Sequence, residues 1–303
     1  MPFDHLQRAR EVSRPTRQDM LMRAPSAQRF WLENDQLFRE AWSQWDEAYP
    51  HNELLCDEAI FSEPMRRAIK LAWNEPNKES AVKDLWEEVL PGVYQAQFFA
   101  PDQIANLRAY FDRIAEADIP LRPPYGIALN RGGAMLDERS PGYLAAPSFQ
   151  RFYRQLLDTY MRPVARLLFP ETFGYDGQTF GFSIRYQPDQ DTSLQPHTDA
   201  SSVTLNINMN LPTETFSGSE LNFYDRASGE VKQWSFKPGV AVIHRGSVPH
   251  AAQPITGGER SNLVLWLYGD GGKTPPSVAS NQKTTAQERW TVPTDRADSF
   301  APF

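Results

Sequence analysis

A change in hydrophobic period near Phe173 constrains the fold of this chain more than any other sequence feature. Before Phe173, large apolar residues such as Trp31 and Phe38 recur at helical spacing, which is typical of amphipathic helices. After it, apolar residues alternate with others over 180–186 and again over 203–209, which predicts β-strands. More short apolar runs follow, separated by turn-rich sequences such as KPG and TGGE. A row of short strands of this kind predicts a sandwich or jelly roll.

The pattern divides the chain into three predicted regions. Residues 1–90 are expected to form a helical N-terminal extension, because the helical spacing continues over Ser80 to Leu90. Residues 91–270 begin with a strand at VYQAQFF, continue with supporting helices and end in the strand-rich domain. Residues 271–303 are a polar tail, whose Trp290, Phe300 and Phe303 favour draping over the domain.

One predicted helix of the middle region contains a proline near its end. The apolar spacing indicates a helix from about Ser148 to Met161. Proline lacks the amide hydrogen that a helix interior requires, so Pro163 is expected to interrupt this helix.

The composition excludes several classes of protein. The chain has 303 residues and a formal charge of -7, which argues against nucleic acid as a partner, since such proteins usually present a basic face. No apolar run approaches the length of a membrane span, and no apolar stretch follows the N-terminal arginines, so no membrane partner or targeting segment is expected. Cys56 is the single cysteine, which favours a reducing compartment and hence the cytoplasm.

Three of the five histidines lie in the strand-rich part of the chain. In His197-Thr198-Asp199 the imidazole and the carboxylate leave an extended backbone on the same face. Two imidazoles and one carboxylate on one side of an iron(II) ion leave positions free for an oxidant and a cosubstrate. His244 and His250 compete for the third position, and His250 is favoured because Arg260 follows ten residues later, about one hairpin on.

Arg260 is a candidate anchor for a bound dicarboxylate. A guanidinium offers a fixed pair of donors that matches a carboxylate. Trp266 lies six residues after Arg260 on the same predicted strand, so the two side chains point to the same face and are expected to line the same cavity. Tyr186, at the end of an earlier strand, is a plausible second donor, and Asn206 either points into the pocket or belongs to a solvated strand face.

These residues resemble the double-stranded β-helix oxygenases that depend on iron and 2-oxoglutarate, in particular the prolyl and lysyl hydroxylase branch. The resemblance rests on RYQP, QPHTD, VTLNINMN, FSGSELNFY, KPGVAVIHRG, PHAAQPITGGER and NLVLW, between about Gly181 and Tyr268. It implies an α+β fold with a cupin-like jelly-roll core, flanking helices and a site at the mouth of the barrel.

The resemblance also implies a chemistry. His197, Asp199 and His250 would be both the iron ligands and the catalytic residues, Arg260 would hold the distal carboxylate of 2-oxoglutarate, and Tyr186 and Trp266 would flank it. The implied cofactors are Fe(II), 2-oxoglutarate and O2, with ascorbate as a reductant. The implied reaction converts 2-oxoglutarate to succinate and CO2 and hydroxylates an unactivated carbon of a small molecule or peptide.

Departures from the family pattern narrow the substrate classes. Arg260 stands where collagen-type prolyl hydroxylases often have lysine, so collagen-like substrates are not implied. Trp266 stands where related nucleic-acid demethylases carry a second arginine. Asp199 is present, whereas halogenating relatives lack this carboxylate, so hydroxylation or desaturation is favoured.

Alternatives remain at the level of residues and of function. His244 is expected to be a buried histidine with one backbone partner, or else to orient a ligand. Arg131, with Tyr125 and Asn130, is a surface loop or a lid over the substrate. The rival functions are an iron oxidase of the same fold that does not use 2-oxoglutarate, and a binding protein with a vestigial metal site. The substrate and the oligomeric state do not follow from these residues.

Overall fold

The computed structural model of the chain describes residues 4–49, 57–124, 132–276, 284–294 and 297–302. The sequence candidates that lie outside the described residues are Cys56, Tyr125, Asn130, Arg131 and Phe303.

Most helices precede the strand-rich domain. The α-helices in the described residues are α1 (Asp4–Glu11), α2 (Arg17–Leu21), α3 (Pro25–Ala48), α4 (Glu63–Asn74), α5 (Ser80–Lys83), α6 (Ile104–Glu116), α7 (Pro147–Gln155), α8 (Arg162–Leu168) and α9 (Ala286–Arg289). None of these helices is long and apolar enough to cross a membrane.

The strands form two principal antiparallel sheets. They are β1 (Glu87–Leu90), β2 (Val93–Gln97), β3 (Gln178–Tyr186), β4 (Leu194–His197), β5 (Val203–Asn208), β6 (Ser217–Gly218), β7 (Leu221–Tyr224), β8 (Val231–Trp234), β9 (Val240–Arg245), β10 (His250–Ala252), β11 (Ile255–Gly257) and β12 (Arg260–Tyr268). The large sheet has the order β1-β2-β9-β5-β12-β3, and the small sheet has the order β4-β10-β7-β8. β6 and β11 form a separate two-stranded ladder.

The large sheet lies between two hydrophobic cores, as β12 shows. One face of β12 packs against the helices through Leu263, Leu265 and Leu267. The other face packs against the small sheet through Val264 and Trp266. Because side chains alternate along a strand, burial on both faces produces the nearly continuous apolar sequence of β12. Two facing antiparallel sheets with helices on one outer face confirm the predicted α+β jelly roll.

The helical prediction for Ser80 to Leu90 is wrong beyond Lys83. Residues Glu87–Leu90 form β1, which pairs with β2 in the large sheet. The two strands are joined at Gly92, whose φ of +78° disfavours residues with a Cβ atom. Backbone pairing with β2 thus overrides a local helical pattern. The large sheet therefore begins at Glu87, within the region predicted to be helical.

The predicted break at Pro163 is also wrong. The chain stays helical from α7 through a π-helical turn at Leu156–Met161 into α8, and Pro163 lies in the first turn of α8. Proline cannot donate to the carbonyl of Thr159 four residues earlier. That carbonyl instead accepts a 3.0 Å hydrogen bond from the Trp73 indole, so the helical segment loses no partner at this point.

The described part of the C-terminal segment packs on the rest of the chain. Trp290 is 4% exposed and meets Trp73 edge to face at 5.6 Å between ring centroids. The carboxylate of Glu79 accepts hydrogen bonds from the indole of Trp290 and the guanidinium of Arg289. The segment around Trp290 therefore packs against the rest of the chain, as the sequence predicts.

Candidate functional site

His197, Asp199 and His250 come together between neighbouring strands of the small sheet. His197 ends β4 and His250 begins β10, and the two residues are cross-strand partners. Asp199 follows β4, and its backbone N–H donates a 2.9 Å hydrogen bond to the carbonyl of Gly246. One side-chain donor atom from each of the three residues lies within 4.8 Å of the other two. This spacing allows the three atoms to share one metal ion.

The two imidazoles present the same nitrogen to the centre of this group. Nδ1 of His197 lies 2.8 Å from the carbonyl of Gln195, and Nδ1 of His250 lies 3.1 Å from the carbonyl of Val248. A carbonyl can only accept, so each Nδ1 carries a proton, and in the neutral ring each Nε2 offers its lone pair to a metal. The Nε2 atoms lie 3.4 Å and 3.8 Å from the carboxylate of Asp199. This backbone orientation of histidine is typical of metal ligands.

The carboxylate of Asp199 is held ionised. Burial alone would raise its pKa, but the charge of His250, the hydrogen bond from His197 and further donors outweigh that effect and hold the pKa well below its ordinary value. Thr204 Oγ1 donates a 2.6 Å hydrogen bond to Oδ2 of Asp199. The Thr204 hydroxyl in turn lies 2.9 Å from that of Ser201. Asp199 is therefore a charged ligand of fixed orientation.

The histidine pKa values shift in opposite directions. Burial lowers the pKa of His250. Burial also acts to lower the pKa of His197, but its hydrogen bond and charge interaction with Asp199 outweigh this and raise it. A metal ion must displace any proton on His197, so metal affinity falls as the pH drops through that pKa.

The hydroxyl of Thr204 offers a direct test of this arrangement. We expect Thr204→Val to weaken divalent-metal binding by about 10- to 100-fold, because it removes a hydrogen bond that orients a ligand while preserving side-chain shape. Isothermal titration with Mn(II) measures the change. Ser202→Ala is the matched control, since the Ser202 hydroxyl donates to the carbonyl of Tyr175 instead. Equal affinities for Thr204→Val and the unmodified chain would contradict the role of Thr204.

His244 lies behind the three residues. It is 1% exposed, its Nδ1 lies 2.9 Å from the carbonyl of Arg245, and its Nε2 lies 3.9 Å from Asp199. Burial lowers its pKa to about 4, so its ring is neutral at physiological pH. A buried ring with one backbone partner agrees with the sequence expectation. Its ring centroid lies 4.7 Å from that of His250, so it packs beside a candidate ligand.

Arg260 lies deep between the two sheets and is only 1% exposed. It begins β12 opposite Tyr186, and its Cζ lies 4.5 Å from the ring centroid of Tyr186 and 4.6 Å from that of Phe236. Nη1 donates a 2.9 Å hydrogen bond to the carbonyl of Ser219. Burial lowers the pKa of Arg260 to about 10, which still leaves it charged at neutral pH.

This buried guanidinium has unused donor capacity. Its Nε has no hydrogen-bond partner, and no carboxylate forms a close ion pair with Arg260 among the residues that the structure describes. The charge of Glu220 and a hydrogen bond with Tyr186 favour the charged form, but burial outweighs them. A buried cation without a close ion-pair partner is costly. The surroundings of Arg260 therefore fit an anionic ligand, and the neighbouring carboxylate and imidazoles fit a divalent metal.

A single pocket between the sheets connects the two sites. It is lined by all the predicted site residues, which are Tyr186, His197, Asp199, Asn206, His250, Arg260 and Trp266. The choice left open for Asn206 is resolved, because its side chain faces this pocket and accepts a 2.6 Å hydrogen bond from Asn262. Trp266 packs against Phe180 and Phe182 and forms part of the wall.

Sequence reasoning missed several parts of the pocket. Thr204 lies two residues before Asn206 on β5, so the alternation of the strand predicts that both side chains point to the same face. The hydrogen bond from Thr204 to Asp199 could not be predicted in this way. Ser219 and Phe236 hold Arg260 from segments that no local signal connects with it. The expected hairpin between His250 and Arg260 is instead a crossing through β11 from the small sheet to the large one.

Comparison with known proteins agrees with this geometry. Residues 175–268 match the family model of the 2OG-Fe(II) oxygenase superfamily. The chain is 30% identical over 209 residues to the 2-oxoglutarate and iron-dependent oxygenase domain-containing protein ICU11 of Arabidopsis thaliana, covering 64% of this chain and 48% of that protein. It is 28% identical to the 2-oxoglutarate and iron-dependent oxygenase domain-containing protein 2 of Xenopus tropicalis, covering 76% of this chain and 64% of that protein.

A third relative is the multifunctional procollagen lysine hydroxylase and glycosyltransferase LH3 of Rattus norvegicus. It is 37% identical over 121 residues, which cover 37% of this chain and 15% of that protein. This chain thus spans between about half and just under two thirds of the two oxygenase-domain relatives, and a small part of the lysine hydroxylase. The family match includes every residue of the pocket from Tyr186 to Trp266.

Proposed function

Because residues 175–268 of this chain belong to the 2OG-Fe(II) oxygenase superfamily, we propose that it hydroxylates an unactivated carbon of a small molecule or peptide at the pocket described above. The superfamily uses Fe(II), 2-oxoglutarate and O2. One oxygen atom of O2 enters succinate as 2-oxoglutarate loses CO2, and the other enters the substrate as a hydroxyl group. Hydroxylation is supported by the lysine hydroxylase among the relatives.

Three residues would hold the iron. The Nε2 atoms of His197 and His250 and the carboxylate of Asp199 are the donors, and this set leaves coordination positions for cosubstrate and oxygen. Bound iron would supply the activation of O2. The residues themselves fix the donor atoms, since each imidazole is oriented through its Nδ1 and Asp199 through Thr204.

Arg260 would hold the carboxylate of 2-oxoglutarate that lies farther from the iron. Its buried guanidinium, with a free Nε and no close ion-pair partner among the described residues, is the single observation that carries the proposal, because it distinguishes a cosubstrate site from a metal site alone. The Tyr186 hydroxyl is a second group for this carboxylate; burial raises its pKa, so it stays protonated and able to donate. The rings of Trp266, Phe182 and Phe180 exclude water from that side of the pocket.

The test measures succinate formed by the full chain from labelled 2-oxoglutarate with Fe(II), ascorbate and air. We expect succinate and CO2 in equal amounts, and no turnover when a chelator replaces the iron. A mass gain of one oxygen in a substrate pool of metabolites and peptides would establish hydroxylation. Oxygen consumption without succinate would support the iron oxidase that does not use 2-oxoglutarate. Failure to bind iron together with 2-oxoglutarate under anaerobic conditions would support a vestigial site.

A further inference from the structure

A second cavity meets the candidate metal site at Asp199. It has a volume of about 660 Å³, which is within the range of small-molecule sites. Asp199 borders both this cleft and the pocket between the sheets, so a molecule in the cleft would lie beside the iron without entering the cosubstrate pocket. The rim is open to solvent at Thr198, Arg226 and Ser247, which are exposed.

The lining of this cleft combines polar and apolar surface in similar amounts. Six residues contribute hydroxyl groups, and they are Thr172, Thr198, Ser201, Ser202, Ser247 and Thr274. The hydroxyls of Thr172, Ser201 and Ser202 are already hydrogen-bonded within the protein, whereas Thr198, Ser247 and Thr274 are exposed. No aromatic side chain is among the described residues that line it. Ligand sites are more often lined by apolar and aromatic groups. The cleft therefore offers hydrogen-bonding groups, and its described lining has no ring on which a planar base could stack.

Among the described charged residues that line the cleft, Arg226 is the cation without an ion pair. The guanidinium of Arg245 donates to the carboxylate of Glu171 and lies over the ring of Phe169, so its charge is already balanced. The charge of Asp199 faces the candidate histidine ligands. Arg226 lies in the turn that follows β7 and forms no ion pair with the described residues.

We propose that this cleft is the substrate site and that it recognises an anionic group, a carboxylate or a phosphate, through Arg226 and the exposed hydroxyls of Thr198, Ser247 and Thr274. The inference rests on the proposed function and adds the substrate class to it. A guanidinium with its donors free is suited to pair with either anion in a two-pronged geometry, and hydroxyls can complete the coordination of its oxygens. A substrate that places a positive charge at this rim is disfavoured by the same residue.

Paramagnetic relaxation can detect an anion in the cleft. The full chain is loaded with Mn(II) and saturated with 2-oxoglutarate, so that the metal and Arg260 are occupied. Inorganic phosphate, followed by 31P relaxation, and acetate, followed by 1H relaxation, are the two probes. We expect metal-enhanced relaxation of at least one probe, and the probe with the tighter binding identifies the group. Arg226→Gln should weaken that binding about tenfold, the effect of losing one charge-assisted hydrogen bond.

Arg67→Gln is the matched control, because Arg67 is an exposed arginine on α4 that does not line the cleft. It should leave the relaxation unchanged. Normal binding of Mn(II) and 2-oxoglutarate without relaxation of either probe, or equal relaxation in Arg226→Gln and the unmodified chain, would overturn the inference and leave the proposed function standing. Failure to bind Mn(II) or 2-oxoglutarate would overturn both.

Discussion

Replacing Asp199 with alanine is expected to reduce 2-oxoglutarate turnover by well over about 100-fold, since changes to groups that merely orient a metal ligand already cost 10- to 100-fold. The substitution removes the only carboxylate of the candidate triad and leaves two neutral imidazoles, His197 and His250. Two nitrogen donors hold a divalent ion far less firmly than a set completed by an anion. Succinate release and Mn(II) affinity, measured on the same preparation, should fall together.

An isosteric variant separates loss of a ligand from loss of the fold. Asp199→Asn keeps an oxygen that can accept the hydrogen bond from Thr204, but it removes the negative charge. We expect it to unfold at about the same temperature as the unmodified chain and still to bind metal weakly. Turnover at the unmodified rate in Asp199→Asn would mean that the carboxylate has only a structural role, and the ligand assignment would be wrong.

The strand-rich part of this fold was predictable because its signals are local. Arg260 and Trp266 share one face because side chains alternate along β12. The two-residue spacing of His197 and Asp199 was read in the same way, although Asp199 lies just beyond the end of β4. A buried pocket requires such an alternation to be kept, since a shift of one residue would move every side chain to the other face. The strand residues that face the pocket could therefore be predicted without knowing which other segments complete it.

The remaining features depend on contacts between distant segments. Glu87–Leu90 has a helical pattern that loses to pairing with β2, and the carbonyl of Thr159 finds its donor in Trp73 across the helical layer. No local sequence pattern marks Arg226 as a binding residue. The distinction between the two arginines of the cleft appears only in the folded chain, where Arg245 pairs with Glu171 and Arg226 has no ion pair with the described residues. A single sequence does not reveal which charges will be balanced after folding.

Replacing Arg260 with leucine is expected to raise the dissociation constant for 2-oxoglutarate by roughly 100-fold or more, because two charge-assisted hydrogen bonds together contribute about 3 kcal/mol. The free protein should unfold at a similar temperature, because leucine removes the cost of a buried charge but also removes the donor to the buried carbonyl of Ser219. Thermal unfolding with increasing 2-oxoglutarate measures both effects. The unmodified chain should be stabilised by the ligand, and Arg260→Leu should be stabilised much less at the same concentration.

Two further variants make this result specific. Arg260→Lys keeps a positive charge but loses the paired donors, so its affinity should lie between those of the unmodified chain and Arg260→Leu. Arg185→Leu is the matched control, because Arg185 lies on the neighbouring strand β3 and forms an ion pair with Glu259 outside the pocket. If Arg260→Leu and Arg185→Leu bound 2-oxoglutarate equally well, the buried guanidinium would have no part in holding the cosubstrate. If only the Arg260 variants lose affinity for 2-oxoglutarate and all variants keep their metal affinity, the distal carboxylate of 2-oxoglutarate binds at Arg260.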